Sequence, residues 1–172
     1  MTMQYDVKQA HLNQSGLMVP FRTRVKAVAF VGTASVGQFV LFDTTTAPVS
    51  SSVTYARSGT TITVSKTAHG LLAGQVIGID FDSGTGGSAT PGNYVIATAS
   101  ANSFTITDIN SGTITGTPAA VYSTGGWLMT FDIAANDIYN NGTSSLPGEG
   151  LLAQNGVYAY MVNMTAVSVF YG

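Results

Sequence analysis

No apolar run between Ser58 and Asp108 keeps helical spacing. The stretch reads SGTTITVSKTAHGLLAGQVIGIDFDSGTGGSATPGNYVIATASANSFTITD. Short alternating segments are broken every few residues by Gly, Asn, Ser or Pro, which predicts strands joined by turns. Thr61–Ser65 turns Ile62 and Val64 inward. Val76–Phe81, Tyr94–Thr98 and Ser103–Thr107 read as three further strands, the last with Phe104 and Ile106 inward. Ala68–Gly74 is a turn or a single helical turn, Asp82–Gly92 a long glycine-rich loop and Ala101-Asn102 a tight turn. Four strands at this spacing predict a small β-barrel-like unit or compact sandwich.

The flanking sequence predicts a second β unit that this stretch interrupts. RVKAVAFVG (24–32) and GQFVLFD (37–43) are strong strands, and the short Thr33-Ala-Ser35 connection predicts that they pair as a hairpin. Both carry apolar residues on two faces, as expected inside a two-layer structure. TTTAPVSSS (44–52) reads as a loop. Ser111–Thr124, with Gly112, Gly116 and Pro118, reads as the return linker. After it, GWLMTFD (126–132) is a strand, Asn140-Asn-Gly142 a turn, and 146–150 (LPGEG) another turn. GVYAYMVNM (156–164) and AVSVFY (166–171) read as a closing pair, with Val167, Val169 and Tyr171 on one side of a sheet interior to the fold or to an oligomer.

The expected fold class is therefore all-β. It consists of a jelly-roll-like β-sandwich, residues 24–52 plus 119–172, with a small β-barrel-like domain at 53–118 inserted in a loop. Such an insertion costs little, because loop-closure entropy grows slowly with length. Residues 1–23 show no clear period. They read as an N-terminal arm laid on a neighbouring subunit, or else as a tail joining its own sheet; the arm is the expectation.

Composition narrows the function classes. Only 8% of the 172 residues are charged, against about 25% in typical soluble proteins. The surface is then mostly Thr, Ser, Asn, Gly and Gln, groups less costly to desolvate than ions when subunits pack together. With six basic residues and a net charge of −2, nucleic acid is not expected as a partner. Arg22, Arg24 and Lys26 alternate along one strand and read as a solvated face or an edge guard. The chain has no cysteine, which removes thiolate chemistry, disulfides and cysteine-ligated metals. No apolar run approaches the length of a membrane span, and the first residues lack the apolar core of a signal peptide.

No catalytic constellation is legible, and no catalytic, cofactor or metal residue is assigned. His69 is the best single candidate for base chemistry, but it lacks a placed Ser or carboxylate and reads as a turn residue. His11 has no metal partner at a suitable spacing. Asp80, Asp82 and Ser83 precede a glycine-rich loop but lack the calcium-loop series, and Asp80 and Asp82 are expected on one strand face. Gly84-Thr-Gly-Gly87 lacks the lysine and helix of a phosphate loop. Trp127, Tyr158 and Tyr160 could stack on a sugar, but at strand positions they read as core or interface aromatics. Asn141-Gly-Thr143 and Asn163-Met-Thr165 match the glycosylation pattern and read as chance matches.

The outer segments, RVKAVAFVGTASVGQFVLFD and PGEGLLAQNGVYAYMVNMTAVSVFYG, resemble small virion structural proteins of short-tailed bacteriophages, especially those of marine bacteria and cyanobacteria. The inserted stretch is similar to a recurring phage module through Ser58-Gly-Thr-Thr61, Ala68-His-Gly-Leu71, Gly92-Asn-Tyr94 and Asn102–Asp108, with Gln75 where that module usually has Asp. The resemblance implies a non-enzymatic virion component. The expectation is a capsid decoration (cement) protein that binds the outer shell. The alternative is a tail- or fibre-associated protein contacting the host surface as a carbohydrate-binding module. The expected partners are the major capsid protein or another virion protein, and further copies of the chain as a trimer, with no nucleic acid, membrane or cofactor.

Overall fold

In a computed structural model, which describes residues 7–135 and 144–172, every regular element is a strand. The chain divides into two units. Unit 1 is discontinuous, Met1–Ala47 with Leu128–Gly172, and unit 2 is the intervening Pro48–Trp127.

Unit 1 is a two-sheet sandwich. Its strands are β1 (Lys8–Leu12), β2 (Gly16–Val19), β3 (Thr23–Gly32), β4 (Gly37–Asp43), β11 (Gly126–Ile133), β12 (Ser144–Ser145), β13 (Leu151–Ala153), β14 (Val157–Val162) and β15 (Met164–Tyr171). One sheet runs β1-β15-β3-β12, with β13 also on β3, and the other runs β11-β4-β14-β2. Both β12 and β13 pair antiparallel with β3, so they form one interrupted strand. Counted along unit 1 alone, the sheets then read first–eighth–third–sixth and fifth–fourth–seventh–second. That is the strand order of a jelly roll. Unit 2 is spliced into the connection between the fourth and fifth strands.

The core of unit 1 draws on both sheets. Met18, Val19, Val25, Val28, Phe30, Phe39, Leu41, Val157, Val167 and Val169 are among its buried members. Phe30, Phe39 and Phe131 form a ring cluster with centroids 5.0–5.6 Å apart. The arm expectation is corrected here. From Lys8 onward the N-terminal segment joins its own fold, because β1 pairs β15, β2 pairs β14, and Met18 and Val19 enter the core.

Two expected hairpins are also corrected. β3 and β4 lie in different sheets, as do β14 and β15. Their short connections, Thr33–Val36 and Asn163, cross the sandwich rather than turning within a sheet. At the second crossing Asn163 takes a left-handed conformation, φ 51°, and its side-chain amide donates to the Val36 carbonyl at 2.9 Å. The two-faced apolar pattern of β3 has a local cause. Its register on β15 shifts between Tyr171 and Phe170, so the core face passes from Thr23 and Val25 to Val28, Phe30 and Gly32. A β-bulge reverses the inward set in this way.

Unit 2 contains β5 (Thr54–Ser65), β6 (Val76–Phe81), β7 (Gly92–Val95), β8 (Thr98–Ala99), β9 (Ser103–Ile114) and β10 (Ala120–Ser123). They form two open sheets, β10-β6-β7 and β5-β9-β8, over one core that includes Tyr55, Ile62, Val64, Ile77, Ile79, Phe104, Ile106 and Ile114. Neither sheet closes, so the barrel-like expectation becomes a pair of three-stranded sheets. The expected limits of 53 and 118 also move outward. Val49 and Tyr122 exchange two backbone hydrogen bonds of 2.7 and 3.0 Å, and β10 pairs β6, so 119–127 belongs to the insert rather than to the outer unit. Gly78 is required by a close approach: a Cβ there would strike the backbone of Gly126-Trp127.

The expected linker at 111–124 is largely strand. β9 pairs β5 through Thr107, leaves the ladder for Asp108–Ser111, and rejoins it at Gly112. Thr60 alone stands opposite that four-residue bulge. Asp108 turns inward and is 2% exposed, whereas Ile109 is 84% exposed.

Candidate functional site

The bulge in β9 builds a buried ion pair. Arg57 Nη1 donates to Asp108 Oδ2 at 2.6 Å. The same oxygen accepts the Thr90 N–H at 3.3 Å, and Oδ1 accepts the Asn110 N–H at 3.1 Å. Burial pushes the Asp108 carboxyl upward, but hydrogen bonds from Asn110, Thr90 and Arg57 outweigh it and hold the group below the usual carboxylate range. Beside it, burial and the Asp108 charge push the Tyr94 phenol up to about 12, and its hydroxyl donates to the Thr90 carbonyl at 2.5 Å. A hollow of 710 Å³ lies over Tyr94, Val95, Asp108 and Ile109. Its charged group is the Asp108 carboxylate, already engaged by Arg57 and two N–H groups, so the cluster is a structural clasp.

The residues singled out from sequence are also held by local structure. His69 Nδ1 accepts the Leu71 N–H at 3.0 Å, and Nε2 faces the Ser103 carbonyl at 3.2 Å. Those partners require the neutral Nε2–H tautomer. With its ring edge-on to Phe104, His69 ties its turn to β9. Gln75 Oε1 accepts the Leu72 N–H at 2.8 Å, closing the same turn. His11 Nδ1 lies 2.9 Å from Ser168 Oγ, directly across strands β1 and β15. Gln9 donates to the same hydroxyl at 3.1 Å, so His11, Ser168 and Gln9 form a cross-strand polar contact.

Asp80 and Asp82 do not share a face. Asp80 is buried in β6, while Asp82 lies past its end and is exposed. The Gly84–Gly87 loop spends its N–H groups on itself and on Thr115: Gly84 and Gly87 bond each other at 2.8 and 3.1 Å, and Thr85 exchanges bonds with Thr115. Three of the four N–H groups of Gly84–Gly87 are thereby turned away from any phosphate. The Trp127 backbone exchanges two hydrogen bonds with the Asn93 amide, at 2.6 and 3.2 Å. Tyr158 and Tyr160 lie opposite Phe42 and Val40 in the ladder. Asn141 and the 140–142 turn lie outside the described residues. Among the described residues no three His, Asp or Glu converge as a metal set.

Sequence reading missed a groove at one end of the β1-β15-β3-β13 sheet. It encloses 450 Å³ between Lys8, Phe21, Arg22, Arg24, Leu152 and Tyr171. The register explains the assembly, with Lys8 opposite Tyr171 and Leu152 opposite Arg24. Phe21, half exposed on the bend between β2 and β3, meets the Tyr171 ring edge-on at 6.2 Å and 63°. Arg22 Nε donates to Gln154 Oε1 at 2.9 Å, and Arg24 pairs with Glu149 at 3.3 Å. Lys26 donates to the Glu149 carbonyl at 2.9 Å. The alternation of Arg22, Arg24 and Lys26 was legible, but Lys8, Leu152 and Tyr171 arrive from distant strands.

No family model, no curated protein and no solved structure matches the chain.

Proposed function

We propose that the chain is a structural protein of a bacteriophage virion, a decoration protein that attaches to the outside of the head and stabilises it. The observation that carries this reading is the jelly-roll strand order of unit 1, an architecture used by capsid and lectin domains. Fold alone does not assign function, so two further features support the reading. The surface is poor in charge, which lowers the desolvation cost of broad contacts. The segments 24–43 and 147–172 also carry the resemblance to phage virion proteins described above. In this role the protein acts by burying area where shell subunits meet, a stable contact needing on the order of 1,200–2,000 Å². Copies arranged around a shell symmetry axis, with a trimer as the proposed unit, supply that area by repetition.

The test compares particles made with and without the chain. Heating should release the genome at a lower temperature from particles lacking it, and adding the purified chain back should restore the original temperature. Identical release temperatures would contradict the proposal. Because jelly rolls also serve as lectins, a tail-associated role in glycan binding is the second reading. Saturable binding of the isolated chain to host lipopolysaccharide would favour it.

A further inference from the structure

Of the six basic residues, Arg57 is committed to Asp108 and Lys66 donates to the Ser51 carbonyl, both in unit 2. The remaining four, Lys8, Arg22, Arg24 and Lys26, belong to unit 1, three of them lining the groove described above. Among the described residues the Glu149 carboxylate pairs with Arg24, and its backbone carbonyl accepts from Lys26. A chain of net charge −2 thus gathers a local positive excess at one end of one sheet. The same place carries an exposed aromatic residue, Phe21, beside Tyr171 and Leu152.

We infer that this groove docks an extended acidic segment of a partner protein, with an aromatic or aliphatic side chain set between its carboxylates. Lys8 and Arg22 are exposed and meet the carboxylates. Arg24, fixed by Glu149, adds a standing positive field. The apolar side chain packs against Phe21, Tyr171 and Leu152, where burial contributes more than exposed ion pairs do. The geometry favours a peptide over an acidic sugar. Phe21 and Tyr171 meet at 63° and form no flat platform for a pyranose ring. Weak contacts of this kind gain strength when repeated across a lattice. The proposed virion role enters only in naming a shell protein as the source of the segment; the binding chemistry is read on the isolated chain, so the two ideas fail separately.

The experiment titrates isotope-labelled full-length chain with a random glutamate–tyrosine copolymer at low salt and follows amide shifts. Shifts should centre on Phe21, Arg22, Arg24, Leu152 and Tyr171, and should shrink as salt rises. The double substitution Lys8→Glu with Arg22→Glu should weaken binding about tenfold or more. Both positions are exposed, so the thermal midpoint should hold. Phe21→Ala keeps every charge and should also weaken binding. Absence of binding, binding unaffected by both variants, or tighter binding of a sulfated polysaccharide than of the copolymer would each overturn the inference.

Discussion

At the scale of single residues, Asp43 shows how much one carboxylate can organise. Its Oδ1 accepts the N–H groups of Asn155 and Gly156 at 2.6 and 3.2 Å, and its Oδ2 accepts that of Gln154 at 2.9 Å. The end of β4 thereby fixes the turn leading into β14. Replacing Asp43 with Ala removes the acceptors of all three N–H groups and should cost about 2–3 kcal/mol, read as a lower urea midpoint, with Asn losing less. In sequence Asp43 was only the last residue of a strand, because its partners lie more than a hundred positions away. Asp108 was hidden for a similar reason: it looked like a strand end, and only the bulge turns it toward Arg57. Its folded pKa is depressed, so its stabilisation is complete above the ordinary carboxyl value, about 4, and is lost as pH falls through the folded value. Acid titration followed on the methyl signals of Ile106 and Ile114 should show unit 2 holding through the usual carboxyl range and opening below it. Asp108→Ala, which strands a buried guanidinium, should destabilise by about 3–5 kcal/mol at neutral pH. The turn role of His69 was legible, since Ala68-His-Gly-Leu71 contains both the bend and the acceptor.

At the scale of elements, alternation located most strands, whereas pairing was misread. A connection such as Thr33–Val36 can turn within a sheet or cross between sheets, and length does not separate the two. The information lay in β4, where Phe39 to Asp43 are all buried. A strand covered on both faces sits inside a layered structure and need not pair with its sequence neighbour. The limits of the insert were misplaced because Pro48, Gly116 and Pro118 look like linker punctuation, although Val49, Thr54, Ala119 and Tyr122 make backbone bridges across that boundary. This yields a direct comparison. Residues 48–127 produced alone should fold and give dispersed amide signals, because they contain the whole of one core. Residues 53–118 alone should not, since they lack β10 and the Ala120 and Tyr122 side chains that complete that core. Equal behaviour of the two fragments would contradict the boundary.

At the scale of the molecule, the sequence carried the all-β class and the idea of one β unit inside another, because apolar alternation and glycine spacing are local signals. The strand order was out of reach, since it depends on which of many similar strands meet. The groove was out of reach too, assembled as it is from β1, the β2–β3 bend, β13 and β15. The central proposal, attachment to the outer surface of a phage head, implies that the chain recurs many times on that surface. Its most direct test is the number of copies per virion, measured by quantitative mass spectrometry against the major shell subunit and located by electron cryomicroscopy. The account predicts a copy number in fixed ratio to the shell subunits, with density for both units on the outer lattice. A dozen copies or fewer, confined to the tail, would contradict it.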